Sequence, residues 1–263
     1  MIDEKYPVFR FQKNYFCALF RVTGIGLLLL WACIIVALSF LFPAFSLILR
    51  KKLYKGIRRC SGIRKVIVQG TICQENVFAI SNHISYLDVM LLGEHASYLF
   101  IAKKEVKQWP LIGWIAYKFE TIFIQRTLRG IHDGQKHIKY AIQHNKAVLV
   151  FAEGTTGNGI LTESFYPAFF KLDQTIRIQP ISICYTEING LPVLSWVRRK
   201  IGWIGSIALL PHLLECCSWR SLTVVLNFHP PFFSESCRKL SATKCEHTIR
   251  FGISEALKIQ NIR

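Results

Sequence analysis

Acid is scarce in this chain. Sixteen Asp and Glu face 33 Lys and Arg, for a formal net charge of +17 over 263 residues. Charged residues of both signs reach only 19%, against 51% hydrophobic. Such hydropathy excludes a disordered chain. Nucleic-acid binders are basic but seldom this apolar, so no nucleic-acid partner is expected. Basicity joined to a mean hydropathy of +0.30 fits a protein seated on an anionic membrane face. Cys-x-x-Cys pairs are missing too. The nine cysteines are odd in number and irregularly spaced, which argues against zinc ribbons, redox pairs and a secreted disulfide framework. They read as small hydrophobes in a reducing compartment. Also absent are the Gly-x4-Gly-Lys-Ser/Thr phosphate loop, the Gly-x-Ser-x-Gly nucleophile elbow and the His-Glu-x-x-His zinc helix.

What is present begins with an uncharged run of 28 residues, Val22 to Leu49. A bilayer span needs about 20 apolar residues. One helix over Val22–Phe42, ended or kinked by Pro43, would serve; a two-helix hairpin dipping into one leaflet is the alternative. Arg50, Lys51, Lys52, Lys55, Arg58, Arg59, Arg64 and Lys65 follow with no acid between them. Positive charge on that flank predicts a cytoplasmic location and attraction to anionic headgroups. Residues 1–55 are therefore expected to anchor a domain spanning 56–263. Within that domain, strands are expected at Val66–Val68, Val77–Ile80, Tyr98–Ala102, Thr121–Ile124, Ala147–Phe151, Arg177–Tyr185 and Leu222–Phe228. Helices are expected at Ser85–Leu92, Pro110–Phe119, Ile131–His144 and Ala242–Ile259. The alternation predicts an α/β fold, a mostly parallel sheet flanked by helices. The apolar stretch Leu194–Leu210, with Trp196 and Trp203, fits either an amphipathic helix or a membrane-interface segment.

Three segments carry chemistry. Ser81-Asn82-His83-Ile84-Ser85-Tyr86-Leu87-Asp88 follows an apolar strand directly, at the carboxyl end where open α/β sheets place ligands. His83 and Asp88 on one helix would point about 140° apart. With a helix beginning near Ser85, His83 lies outside it and Asp88 in its first turn, where the carboxylate can receive the imidazole N–H and leave a basic nitrogen free. Ser85-x-x-Asp88 equally fits a helix capping box, and on the residues alone both readings stand. Glu153-Gly154-Thr155-Thr156-Gly157-Asn158-Gly159 also follows an apolar strand, as a loop whose amides can approach an anion. Lys103, Glu105, Pro110, Gly113 and Phe123-Ile124-Gln125-Arg126 form the third segment, with Arg126 a candidate phosphate fork.

Together these segments resemble the glycerolipid acyltransferase family, the 1-acylglycerol-3-phosphate acyltransferases. The likeness lies in Asn82-His83 with Asp88; in Lys103, Glu105, Pro110, Gly113, Ile124 and Arg126; in Glu153-Gly154-Thr155; and in Pro180 within an apolar strand. Phe228-His229-Pro230-Pro231 adds to it. The resemblance implies His83 as base, Asp88 as its orienting partner, and Arg126, Glu153, Gly154, Thr155 and Lys103 as acceptor-binding residues. It implies acyl-CoA or acyl carrier protein as donor, a lysolipid as acceptor, and neither metal nor cofactor. The expected reaction is acylation of the 2-hydroxyl of lysophosphatidic acid to give phosphatidic acid. Two departures stand out. Thr156 occupies a position where many members carry Arg, and Phe170-Lys171 comes later than usual. The loop also looks like a bacterial branch that includes acyltransferases acting on lyso-ornithine lipids, which makes such an acceptor the alternative. A non-enzymatic basic membrane-binding protein is the rival from another class.

Overall fold

The computed structural model describes residues 13–125 and 127–262, so Arg126 lies outside the described residues. In chain order the elements are α1 (Tyr15–Leu41), α2 (Pro43–Cys60), β1 (Ile63–Gly70), β2 (Val77–Ser81), α3 (Leu87–His95), β3 (Leu99–Lys103), α4 (Ile112–Lys118), β4 (Ile122–Ile124), α5 (Leu128–Gln143), β5 (Ala147–Phe151), β6 (Arg177–Ile188), β7 (Leu191–Pro192), α6 (Ser195–Ile201), α7 (Leu209–Ser218), β8 (Leu222–Phe228), β9 (Phe232–Phe233) and α8 (Arg238–Ile262). Each expected strand and helix of the domain falls on one of these elements.

β2 and β5 are buried at every position, as strands covered on both faces must be. They lie at the centre of a sheet ordered β1-β8-β6-β2-β5-β3-β4. From β6 to β4 neighbouring strands run parallel. β8 is antiparallel to β6 and β1 parallel to β8, so that flank of the mostly parallel sheet is reversed. On one face Ala79, Leu149 and Ile183 pack with Leu91, Val197 and Cys216 of α3, α6 and α7. On the other, Phe78, Val148 and Val150 pack with Ile138 of α5 and Ile249 and Ile253 of α8. All nine cysteines are free, and Cys184, Cys216, Cys217 and Cys245 are buried.

Pro180 sits inside β6, where a missing N–H would ordinarily break a ladder. Its outer neighbours explain the tolerance. β9 pairs with Arg177 and Ile178, and β8 begins pairing at Ile181, so Pro180 falls in the gap. The Gln179 side chain fills the same gap, accepting from Cys73 N (3.0 Å) and donating to the Thr71 and His229 carbonyls (2.8 and 3.1 Å).

Pro43 ends α1 and opens α2, with Phe42 extended between them; proline suits a first helical position, where its absent N–H has no partner to lose. α1 packs along α2 and α7 and touches α4. Ile25, Ile35, Leu53, Ile115 and Cys217 form their shared core. Arg21, in the otherwise apolar α1, is buried and donates to the carbonyls closing α7, at Cys217 (2.9 Å), Trp219 (2.5 Å) and Arg220 (3.2 Å). The division expected at residue 55 falls within α2, which runs unbroken to Cys60. Nor is the whole basic flank available to headgroups. Arg58 is buried, paired with Glu94 (2.5 Å) and bonded to the Ile63 carbonyl, and Arg50 is buried against Phe119.

Candidate active site

β2 and β5 are adjacent, and the loops leaving their carboxyl ends meet. α3 starts at Leu87, so Asp88 occupies its first turn and His83 lies before it. Asp88 is fully buried and accepts four hydrogen bonds. Oδ2 receives His83 Nδ1 (2.9 Å), Ile84 N (2.7 Å) and Ser85 N (2.9 Å). Oδ1 receives the Tyr185 hydroxyl (2.9 Å). One carboxylate thus ties down the loop amides and holds the imidazole. An acid that accepts only at that oxygen assigns the proton to Nδ1 and leaves the Nε2 lone pair unshared among the described residues. The ring stacks on Phe151 (3.9 Å between centroids, 13° between planes), and its side chain keeps 18% exposure. A base with one open nitrogen, aimed by a buried carboxylate, can take a proton from a hydroxyl.

Asn82, just before His83, clasps β6, donating to the Ile183 carbonyl (2.9 Å) and accepting its N–H (2.8 Å). Tyr185, Asn82's clasp and the Phe151 stack are absent from the sequence reading. Tyr185 had a usable signal: it shares a β6 face with Ile181 and Ile183, and a phenol in such a core needs a hydrogen-bond partner.

Glu153 is 3% exposed; Oε1 accepts His83 N (2.7 Å) and Oε2 accepts Glu163 N (2.8 Å). It braces the two loops. Burial pushes its pKa up to about 7, opposed by those two backbone donors. Gly154 and Thr155 remain on the open side, Thr155 exposed and Gly154 with φ +67°, a backbone that glycine adopts without strain. Beside them is a pocket of about 120 Å³, lined by Lys103, Ile124, Phe151, Gly154, Tyr166 and Phe169. Phe151 both lines it and stacks on the His83 ring. Lys103 ends β3, is exposed, and has no ion pair among the described residues. Gly113 serves packing: a Cβ there would meet the Lys107 carbonyl at 2.3 Å. His229, pushed down in pKa by burial, bonds Ser182 (2.6 Å) and belongs to the α8 contact. Lys171 is exposed beyond the short 3₁₀ turn Pro167–Phe170.

The family model described as Acyltransferase matches residues 58–184. A lyso-ornithine lipid O-acyltransferase of Brucella abortus is 31% identical over 191 residues, covering 68% of this chain and 71% of that protein. A 1-acyl-sn-glycerol-3-phosphate acyltransferase of Neisseria gonorrhoeae is 28% identical over 160 residues, covering 58% of each. The crystal structure of the 1-acyl-sn-glycerophosphate (LPA) acyltransferase PlsC from Thermotoga maritima shares the fold, with a TM-score of 0.54, 20% identity, and coverage of 89% of this chain and 97% of that one. The sequence relatives and the matched family model agree, and the chain is an O-acyltransferase belonging to the acyltransferase family of lysolipid-acylating enzymes.

Proposed function

We propose that this enzyme transfers a fatty acyl group from a thioester donor, acyl-CoA or acyl carrier protein, to a lysolipid of the lyso-ornithine type. His83 Nε2 takes the proton of the acceptor hydroxyl while Asp88 stabilises the imidazolium through Nδ1. The oxygen attacks the thioester carbonyl, the C–S bond breaks, and the proton on Nε2 passes to the departing thiolate. The acceptor headgroup lies in the pocket at Lys103, against the Thr155 amide; the Gly154 N–H is already given to the Phe151 carbonyl (3.1 Å).

One observation carries the acceptor reading. Position 156, after Glu153-Gly154-Thr155, is a neutral threonine and brings no cation to the pocket, and Lys103 is the one charge among its described lining residues. An ornithine headgroup presents a single carboxylate beside an ammonium; a phosphomonoester presents up to two negative charges and calls for more. Lysophosphatidic acid is the second reading, favoured by Arg126 following β4.

The apolar hairpin supports a membrane location at the cytoplasmic face. α1 contains one stretch long and apolar enough to cross a bilayer, Tyr15–Ser39. Yet Arg21 near its start and Arg50 and Arg58 in α2 all hold to the domain. Only Pro43–Leu49 extends past Arg50 on the returning helix, about 10 Å at 1.5 Å per residue, against a hydrocarbon core of about 30 Å. Leu41, Phe42, Phe45 and Ile48 are exposed there. The hairpin dips into one leaflet.

Offering purified enzyme each lysolipid with each donor, and reading products by mass spectrometry, tests this. Diacylated ornithine lipid from wild type and none from His83→Ala is the expected result. Turnover of lysophosphatidic acid alone overturns the acceptor reading, and retention of more than about a tenth of the activity in His83→Ala overturns the base.

A further inference from the structure

Three loops surround His83, and one threonine closes the ring they make. The β2 loop gives its carbonyls outward: His83 O accepts Gly157 N (2.7 Å) and Ile84 O accepts Trp203 N (2.9 Å). Gly157 belongs to the loop after β5; Trp203 belongs to the connection between α6 and α7. Thr156 Oγ1 then donates to the Trp203 carbonyl, joining the second loop to the third. The approach is close enough to need glycine. A Cβ on Gly202 would meet the Gly157 carbonyl at 2.9 Å. Trp203 is itself held at its far end, its indole Nε1 donating to the Ile207 carbonyl (2.7 Å). Its ring meets Tyr86 (5.4 Å) and Trp109 (5.9 Å) edge-on.

We propose that Thr156 and Trp203 form a strap that positions His83 for proton transfer, and that position 156 therefore sets loop geometry and does not read the acceptor. Neither residue touches the reacting atoms. They act through the His83 and Ile84 carbonyls, on the side of the loop away from Asp88. The two restraints are complementary. Asp88 fixes which way the ring points and which nitrogen is protonated, and the strap fixes where the backbone carrying the ring stands relative to the Gly154–Thr155 amides. A carbonyl left without its donor by loss of the hydroxyl would loosen the connection, and small displacements of a catalytic group are costly: about 1 Å is worth on the order of a hundredfold in rate. A neutral, short, β-branched residue suits this. Serine keeps the hydroxyl, valine keeps the shape without it, and arginine has no donor at that place.

The inference rests on the acyl-transfer reading for its kinetic part, so the test carries a second readout that does not. Full-length wild type, Thr156→Val and Thr156→Ser are compared by amide hydrogen exchange over residues 80–88, 154–160 and 200–207. They are also compared by steady-state kinetics with lyso-ornithine lipid and with lysophosphatidic acid. Expected in Thr156→Val are exchange about threefold to tenfold faster at the Gly157 and Trp203 amides, as for loss of one neutral hydrogen bond, and kcat down about tenfold to a hundredfold. KM should stay within about threefold for whichever acceptor is used, and Thr156→Ser should recover both readouts. Unchanged exchange in Thr156→Val overturns the strap whatever the substrate proves to be. A rise in KM for one acceptor at constant kcat also overturns it, because Thr156 would then contact that acceptor. Wild type inactive on both lysolipids would instead sink the acceptor reading, with the exchange data still deciding the strap.

Discussion

Replacing Asp88 by Asn tests the core of the site, because the structure dictates how the amide must sit. Two backbone N–H groups, from Ile84 and Ser85, converge on Oδ2 together with His83 Nδ1. An amide nitrogen there would set donors against donors. The carbonyl oxygen of Asn must take that place, and its NH₂ then faces the Tyr185 hydroxyl, which can turn to accept. The proton stays on Nδ1, the Nε2 lone pair stays open, and only the charge is lost. Exchanging a charge-assisted hydrogen bond for a neutral one costs about 1–1.5 kcal/mol, roughly tenfold. The imidazolium formed during proton transfer also loses its counter-ion. Two unit charges about 4 Å apart at an effective dielectric of about 20 interact by about 4 kcal/mol, or roughly a thousandfold. A kcat drop of about a hundredfold, between these bounds, is the expectation, with little change in KM or in melting temperature. Asp88→Ala should be worse in both respects, leaving two buried loop amides and a phenol without a partner at about 1–3 kcal/mol each. Acyl-transfer kinetics beside thermal melting of the purified variants gives the answer. Full activity in Asp88→Asn with a lower melting temperature would leave Asp88 as a helix cap and nothing more. A loss beyond about 10⁴ would show that the amide had turned over and the tautomer with it.

Two further outcomes follow from other buried groups. Glu153 carries a pKa of about 7 against an ordinary 4.5, so between those values the folded state holds a proton that the unfolded state has released. Stability should therefore decline as pH rises from about 4.5 to about 7, by an order of 3 kcal/mol, and level off above. Glu153→Gln should flatten that slope in urea melts taken across the range; an identical slope in the variant would refute the assignment. Arg21→Met should free the end of α7 from α1, at about 1.5–3 kcal/mol for hydrogen bonds from a charged donor. It should raise protease cleavage near residue 14 while leaving kcat within about threefold, because α1 contributes no residue to the site; unchanged stability would mean that apolar packing alone docks the helix.

Much of this enzyme is legible in its sequence because the signals are local. An uncharged run, a proline that can only end or begin a helix, and fully apolar segments such as Val77–Ile80 and Ala147–Val150 need no partner to declare themselves: backbone sterics and burial decide them residue by residue. His83 and Asp88 belong to this class, five residues apart across a helix start, as does the exposed Gly154–Thr155 turn. What the tertiary structure alone decided concerns residues far apart in the chain. Tyr185 lies 97 residues beyond Asp88 and reaches it because β6 pairs with β2. Glu153 reads as a ligand in its motif, and only strand adjacency shows that its carboxylate also takes the His83 amide and so braces two loops. Arg58 and Arg50 look like surface charge in sequence, yet packing of α2 on α3 and on the residue that follows α4 places them against Glu94 and Phe119. Thr156 looks like a missing cation and is a hydrogen-bond donor to a loop 47 residues away. Periodicity tells a side chain which face it occupies; only the fold tells it what stands opposite.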